Sequence, residues 1–278
     1  TGSTMSPNYP LTQSAAIKQF GGRNAVGLVA GDAFLARFSG LAGSISISAV
    51  ANAANYVADA VAPGEIVILY GSAMGPSSLA LAKLTPQNLL ETTVSGARIL
   101  FDGVAAPLIY VSQTQSAAIV PYGVAGKART EVQVEYNGAR SAAFSVPVAE
   151  TVPGLFSANS TGKGQGAILN QDASVNGPAN KAADGSIVVL YGTGEGVTSP
   201  AGVDGKLATE VYPKPVAAVS VTVGGQPAEI LYAGAAPLQI AGLFQINIRL
   251  PRLGPGDHEV LVTIGGKQSQ KGLTVSVR

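Results

Sequence analysis

Gly64-Glu65-Ile66-Val67-Ile68-Leu69-Tyr70-Gly71-Ser72 and Gly185-Ser186-Ile187-Val188-Val189-Leu190-Tyr191-Gly192-Thr193 repeat one pattern, with Gly, Ile, Val, Leu, Tyr and Gly in register. Each is a short β-branched apolar run closed by glycine, which reads as a buried strand ending in a turn. The likeness continues downstream in the same order. Gly103 to Tyr110 parallels Gly225 to Tyr232, Gln115 to Pro121 parallels Gln245 to Pro251, and Asn137-Gly138 parallels Gly265-Gly266. A duplication in which every block keeps its place means two copies of one fold in tandem.

The strands between these blocks alternate with period two. In Gln245-Ile246-Asn247-Ile248-Arg249-Leu250, the residues Ile246, Ile248 and Leu250 point to a core and the polar set points away. Val132 to Tyr136, Ala143 to Val148, Val219 to Val223, Leu243 to Leu250, Val260 to Ile264 and Leu273 to Val277 read the same way. Asn137-Gly138 and Gly265-Gly266 are two-residue hairpin signals. The segment with the best helical character, Ser78 to Leu90, is interrupted by Pro86. The expected fold class is therefore all-β: two tandem immunoglobulin-like antiparallel β-sandwiches with an N-terminal strand-forming arm. The boundaries fall at residues 1–50 for the arm, 51–153 for the first sandwich and 154–278 for the second, whose first strand is expected at Ala167 to Leu169.

Composition narrows the chemistry. Only 12% of the 278 residues are charged and the net charge is +1, so no basic field is available to hold a phosphate backbone, and nucleic acid is not an expected partner. Cysteine is absent, which removes thiol nucleophiles, disulfides and thiolate metal sites. The single histidine, His258, follows Gly254-Pro255-Gly256 and reads as an exposed turn residue rather than a member of a catalytic triad. No apolar stretch reaches the roughly 18 residues that a membrane span needs. Thr1 is not an initiating Met and no signal-like segment follows it, so the chain is expected to be a mature or trimmed form whose targeting signal, if any, has gone.

Several longer motifs extend this reading into a resemblance. Val61-Ala62-Pro63-Gly64-Glu65-Ile66-Val67, Val152-Pro153-Gly154-Leu155-Phe156, Leu190 to Gly196 and Gly242-Leu243-Phe244-Gln245-Ile246-Asn247 resemble the Solibacter-type uncharacterised C-terminal module of secreted acidobacterial proteins, over about residues 50 to 278. That resemblance implies secretion and supplies no activity. The glycine-strand signature of each half is also similar to immunoglobulin-like IPT/TIG domains. Thr1 to Thr12 with Gly31-Asp32-Ala33-Phe34-Leu35-Ala36-Arg37-Phe38 resembles a single SBBP-type β-propeller repeat. One repeat cannot close a propeller, because blades bury their faces against neighbours.

Gly192-Thr193-Gly194-Glu195-Gly196 follows a strand as a dinucleotide loop would, but Val197-Thr198-Ser199-Pro200 cannot open the helix that such a loop needs. Gly162-Lys163-Gly164-Gln165-Gly166 lacks a P-loop ending, and Asn159-Ser160-Thr161 is a short sequon. Asn170, Asp172, Ser174 and Asn176 alternate oxygen side chains as a calcium loop does, yet Lys181 stands where the bidentate glutamate belongs. The acids are scattered singly, and Asp102, Glu195 and Glu229 read as solubilising turn residues. No catalytic, cofactor or metal residues are expected. The expected function is a non-catalytic structural or adhesive surface protein that self-associates head to tail through Phe34, Leu35, Phe38, Ile45 and Ile47. The alternative is a glycan- or ligand-binding accessory module of a larger secreted protein, which exposed clusters among Tyr110, Tyr122, Tyr212 and Tyr232 would favour.

Overall fold

A computed structural model of the chain describes Gly2–Thr4, Asp32–Phe34 and Ser44–Arg278. Gly2–Thr4 pairs antiparallel with Asp32–Phe34. Leu35 and Phe38, expected in the arm's assembly strand, lie outside the described residues. The chain from Ser44 to Arg278 forms a compact unit of its own.

That unit holds two antiparallel β-sandwiches of the immunoglobulin-like kind. In the first, one sheet runs in the order Ser46–Asn52, Ile66–Ser72, Gln115–Ile119, Leu108–Val111, Ala80–Leu81. The facing sheet pairs Arg129–Tyr136 with Ala97–Phe101, Ala139–Arg140 and Phe144–Pro147. In the second sandwich Ile187–Thr193 pairs with Phe244–Arg249, which pairs with Glu229–Ala235. Opposite them, Gly256–Ile264 pairs with Val219–Val223, Lys267–Gln268 and Leu273–Val277. The central pairings of the first sandwich recur in the second, but its edges differ: Gly154–Leu155 and Ile168–Asn170 take the place of the single strand Ser46–Asn52, and Thr198–Ser199 pairs with Lys214–Pro215 as a separate ribbon where the first copy has Ala80–Leu81 against Leu108–Val111. Ser78 to Leu90 contains only the two-residue strand Ala80–Leu81 among bends and bridges.

Side-chain alternation builds each core. Along Phe244–Arg249 the apolar Phe244, Ile246 and Ile248 are buried while Gln245, Asn247 and Arg249 are not. One core gathers Leu69, Ile99, Phe101, Leu108 and Val134, the other Leu190, Phe244, Ile248, Val262 and Ile264. Asn137 (φ 50°) and Gly138 (φ 81°) both occupy the left-handed region, as do Gly265 (φ 57°) and Gly266 (φ 79°), which is the geometry of a type I′ hairpin.

Three expectations need correction here. Ile45 and Ile47 are not part of a free arm: Ser46–Asn52 pairs with Ile66–Ser72, and both isoleucines pack against the first core. The apolar alternation of Ser44-Ile45-Ser46-Ile47-Ser48 needed a core to face, and the sandwich supplies it, so the arm ends earlier than residue 50. His258 belongs to the strand Gly256–Ile264 opposite Val275, with a ring N–H donated to Gly254 O at 3.0 Å, because the Gly254-Pro255 turn closes before it. The first strand of the second sandwich likewise precedes Ala167, with Gly154–Leu155 and Gly164–Gln165 already paired to its sheets.

Candidate functional site

The two copies differ most where they meet. Ile187 and Val189 remain half-buried on the outer face of their strand, whereas Ile66 and Ile68 are buried on both faces of theirs. The difference arises from the neighbouring sandwich: Ile66 donates its backbone N–H to Thr193 Oγ1 at 2.7 Å, and Gly242 lies against Gly64 O and Ile66. Tyr122 donates its N–H to Asp204 Oδ1 at 2.8 Å. Leu90 N–H donates to Gly205 O at 3.0 Å and Leu207 N–H to Asn88 O at 2.9 Å, so a loop of the second sandwich is stitched to the Asn88–Leu90 segment of the first.

Glycine makes this closeness possible. A Cβ on Gly242 would stand 2.3 Å from Gly64 O. The Tyr122 ring lies between Gly64 and Gly202, where added Cβ atoms would fall 2.6 Å and 2.2 Å from it. The connecting segment is pinned from both sides, since Asn52 Nδ2 donates to Val152 O at 2.9 Å and Val152 N–H donates to Gly194 O at 2.9 Å.

Two glutamates end up inside this seam. Glu65 heads the first repeat's strand and is 0% exposed; Glu195 follows the second repeat's strand and is 3% exposed. Glu65 Oε2 accepts the Ala62 N–H at 2.6 Å, but Glu65 Oε1 and Glu195 Oε2 have no hydrogen-bond partner. Burial pushes the Glu65 carboxyl up to about 8, with the charge of Glu195 adding to the effect, and burial alone pushes Glu195 up to about 8. Among the described residues no Lys or Arg forms an ion pair with either. Burial likewise raises the Tyr122 phenol, with Glu195 and Asp204 contributing.

The duplication shows what these glutamates replace. Residue for residue, Glu65 stands where the second copy has Ser186, and Glu195 stands where the first copy has the fully buried Met74. Neither acid is therefore demanded by the sandwich fold. The reading of Glu195 as a solubilising turn residue is overturned: its turn is covered by the Glu150–Val152 segment, whose carbonyls would meet Cβ atoms on Gly194 and Gly196 at 1.9 Å and 2.1 Å. The view that the acids are isolated fails for the same reason, since folding joins two residues far apart in sequence. The signals available were an acid within the apolar run Val61–Tyr70 and the Glu-for-Met exchange between copies. Asp102 and Glu229 are paired with Lys127 and Arg249.

Beside Glu195 a cleft of about 410 Å³ opens between the sandwiches. Tyr122 and Asn88 come to it from the first sandwich, and Thr198, Val203, Leu207, Ala208 and Val211 from the second.

The outer sheet faces carry a second repeated feature. Tyr70 lies opposite Gln115, whose Nε2 donates to Tyr110 Oη at 2.6 Å. In the second copy Tyr191 lies opposite Gln245, and Tyr232 lies opposite Asn247, which accepts from Gln245 Nε2 at 2.8 Å. Tyr110, Tyr122, Tyr212 and Tyr232 are thus dispersed and form no single cluster. Tyr110 joins Tyr70 and Tyr56, Tyr232 neighbours the 37% exposed Tyr212, and Tyr122 lies in the seam. In the Asn170–Asn176 loop the side-chain oxygens already have protein donors: Asn176 Nδ2 donates to Asn170 Oδ1 at 2.8 Å, Ser174 N–H to Asp172 Oδ1 at 3.0 Å, and Ser276 N–H to Asn176 Oδ1 at 2.9 Å.

Fold and seam together define a tandem immunoglobulin-like β-sandwich protein. No family model matches the chain, and no curated protein matches it. Among solved structures it is similar to the SGBP-B protein of the Bacteroides ovatus mixed-linkage glucan utilization locus, solved with a mixed-linkage heptasaccharide, at 16% identity over 79% of this chain and 43% of that one, with a TM-score of 0.29. It is also similar to domains 5–6 of the S-layer protein SbsC, at 10% identity over 84% of this chain and 98% of that one, with a TM-score of 0.27. The tandem Ig repeats of Dlar match at 10% identity over 84% of this chain and 98% of that one, with a TM-score of 0.23. The chain spans less than half of the first of these. Among the described residues no helix is long and apolar enough to cross a membrane.

Proposed function

We propose that the chain is a non-catalytic extracellular structural or adhesive module, related to the Solibacter-type C-terminal modules of secreted proteins, in which two sandwiches act as one rigid unit. The observation that carries this reading is the seam itself. Backbone groups of the two copies touch directly through Gly242 and Gly64, which leaves little freedom for a hinge. A non-catalytic role agrees with the state of the paired acids. Both are pushed up in the same direction, whereas an acid and a nucleophile acting on a glycoside need their ionisation driven apart, and Glu65 does not line the cleft.

The assembling form of this reading uses strand addition through the arm, with Phe34 in its described strand, onto the Ser46–Asn52 strand that ends its sheet. The full chain is expected to form end-to-end polymers by light scattering and negative-stain microscopy, and Ser44–Arg278 to stay monomeric. Monomers from both would end the filament form.

A second reading, binding of a surface glycan, is favoured by the Tyr-Gln rows. Partly exposed tyrosine rings beside fixed amides suit the apolar faces and hydroxyls of sugars. Tyr110→Ala and Tyr232→Ala are each expected to lower retention on insoluble polysaccharide about tenfold in pull-down isotherms, with melting temperatures close to that of the parent. Unchanged retention in both variants would remove the rows from consideration.

A further inference from the structure

We infer that the cleft between the sandwiches is a binding site for a small organic molecule carrying a protonated amine, whose ammonium group is taken by Glu195 beneath an apolar wall. The cleft is separate from the outer tyrosine rows, and none of its lining residues belongs to the arm.

Three observations lead to it. The cleft, about 410 Å³, falls within the range of small-molecule sites, and Val203, Leu207, Ala208 and Val211 give it a largely apolar lining. Glu195, which lines it, keeps one buried carboxyl oxygen without any partner. A buried acceptor left in that state is unfavourable, and a ligand donor would relieve it. Finally, the corresponding position of the first copy is occupied by Met74, so the acid was not placed there to build a sandwich.

The charge of the missing partner follows from the groups around it. Glu65 lies close enough to Glu195 for their charges to act on each other, Tyr122 faces Glu195, and Asp204 holds the Tyr122 N–H. On the cleft wall, Glu210 adds a carboxylate, and the Lys206 ammonium donates instead to Gln87 O at 3.1 Å. Acids therefore outnumber bases around the cleft, and a ligand cation supplies what the chain does not. An ammonium ion stabilises the ionised form of Glu195, so below about pH 8 binding releases the Glu195 proton to solvent while the amine retains its own.

The test uses the full chain and three probes of matched shape: hexylamine, 1-hexanol and hexanoate. Hexylamine is expected to bind at least tenfold more tightly than hexanol by calorimetry, with hexanoate weakest. Its affinity is expected to rise between about pH 6 and pH 8 as the competing proton is lost, with proton release seen as a dependence of the heat on buffer ionisation enthalpy. Glu195→Gln is expected to abolish the preference for amine over alcohol, and Glu195→Met, which borrows the residue of the other copy, to do the same if Gln disturbs folding. Equal binding of amine and alcohol, a preference that survives both substitutions, or no binding of hexylamine at millimolar concentration would each overturn the assignment. Loss of polysaccharide retention or of polymers would leave this result untouched.

Discussion

The stability of Ser44–Arg278 is expected to fall as the pH rises from about 5 to about 9, opposite to the trend that ordinary surface-paired carboxylates produce. The sign comes from the two seam glutamates, both held at about 8 in the folded chain against an ordinary 4.5. Between those values the folded chain keeps protons that the unfolded chain releases, so the stabilisation is complete below about 4.5, is lost as the pH climbs to about 8, and stays lost above it. At about 1.4 kcal/mol per pKa unit, each fully buried carboxyl contributes on the order of a few kcal/mol, and their mutual repulsion couples the two. For a body of this size the two together correspond to a loss of roughly 20 °C in melting temperature. Carboxylates held low, such as Glu135 by Arg140 and Asp172 by Ser174, act at the acid end of the range and leave this window alone. Glu65→Gln with Glu195→Met is expected to flatten the decline and raise the melting temperature at pH 9, measured by calorimetry across a pH series. A parent protein with a level or rising curve from pH 5 to 9 would refute the assignment of buried, protonatable acids.

Much of the architecture could be read from the chain because it depends on local pattern. Period-two alternation in Gln245 to Leu250 and the Asn137-Gly138 and Gly265-Gly266 turns needed only neighbouring residues to declare themselves, and the duplication supplied the rest. The seam could not be read in the same way. The Gly194-Glu195-Gly196 turn looks solvent-facing when judged by composition, since nothing local reveals that Glu150 and Val152 lie across it. Ile45 and Ile47 were legible as strand residues but not as members of the first sandwich, because the strand Ile66–Ser72 that pairs with Ser46–Asn52 comes only after an intervening loop. Glycine was the most ambiguous residue. Gly138 serves its turn's backbone angles with open space around it, whereas Gly242 combines a positive φ of 94° with a neighbour in the other sandwich, and the sequence prints both as the same letter.

That distinction makes Gly242→Ala the substitution with the largest expected structural effect. The new Cβ would fall 2.3 Å from Gly64 O and 3.2 Å from Ile66 Cγ1, in a backbone conformation that alanine rarely adopts. A carbonyl anchored in the facing sandwich cannot move aside as a flexible side chain can, because the next residues enter the Ile66–Ser72 strand and Gly64 N–H is itself bonded to Val120 O. The two sandwiches must separate or the Gly242 turn must rebuild, at a cost of several kcal/mol. Each sandwich keeps its own core, so separation rather than collapse is expected. The parent is expected to unfold in one calorimetric transition and the variant in two, and the variant's scattering curve should report a longer particle with a broad interdomain distance distribution. Gly123→Ala, where no atom lies within 4 Å and the backbone is ordinary, should reproduce the parent in both measurements. If Gly242→Ala also matched the parent, the direct contact between the copies would not be what holds them, and the rigid-unit reading would lose its footing. If it divides the transition, exposure of Glu65 and Glu195 to water should return both acids toward ordinary ionisation, so the alkaline loss of stability should shrink in the same variant.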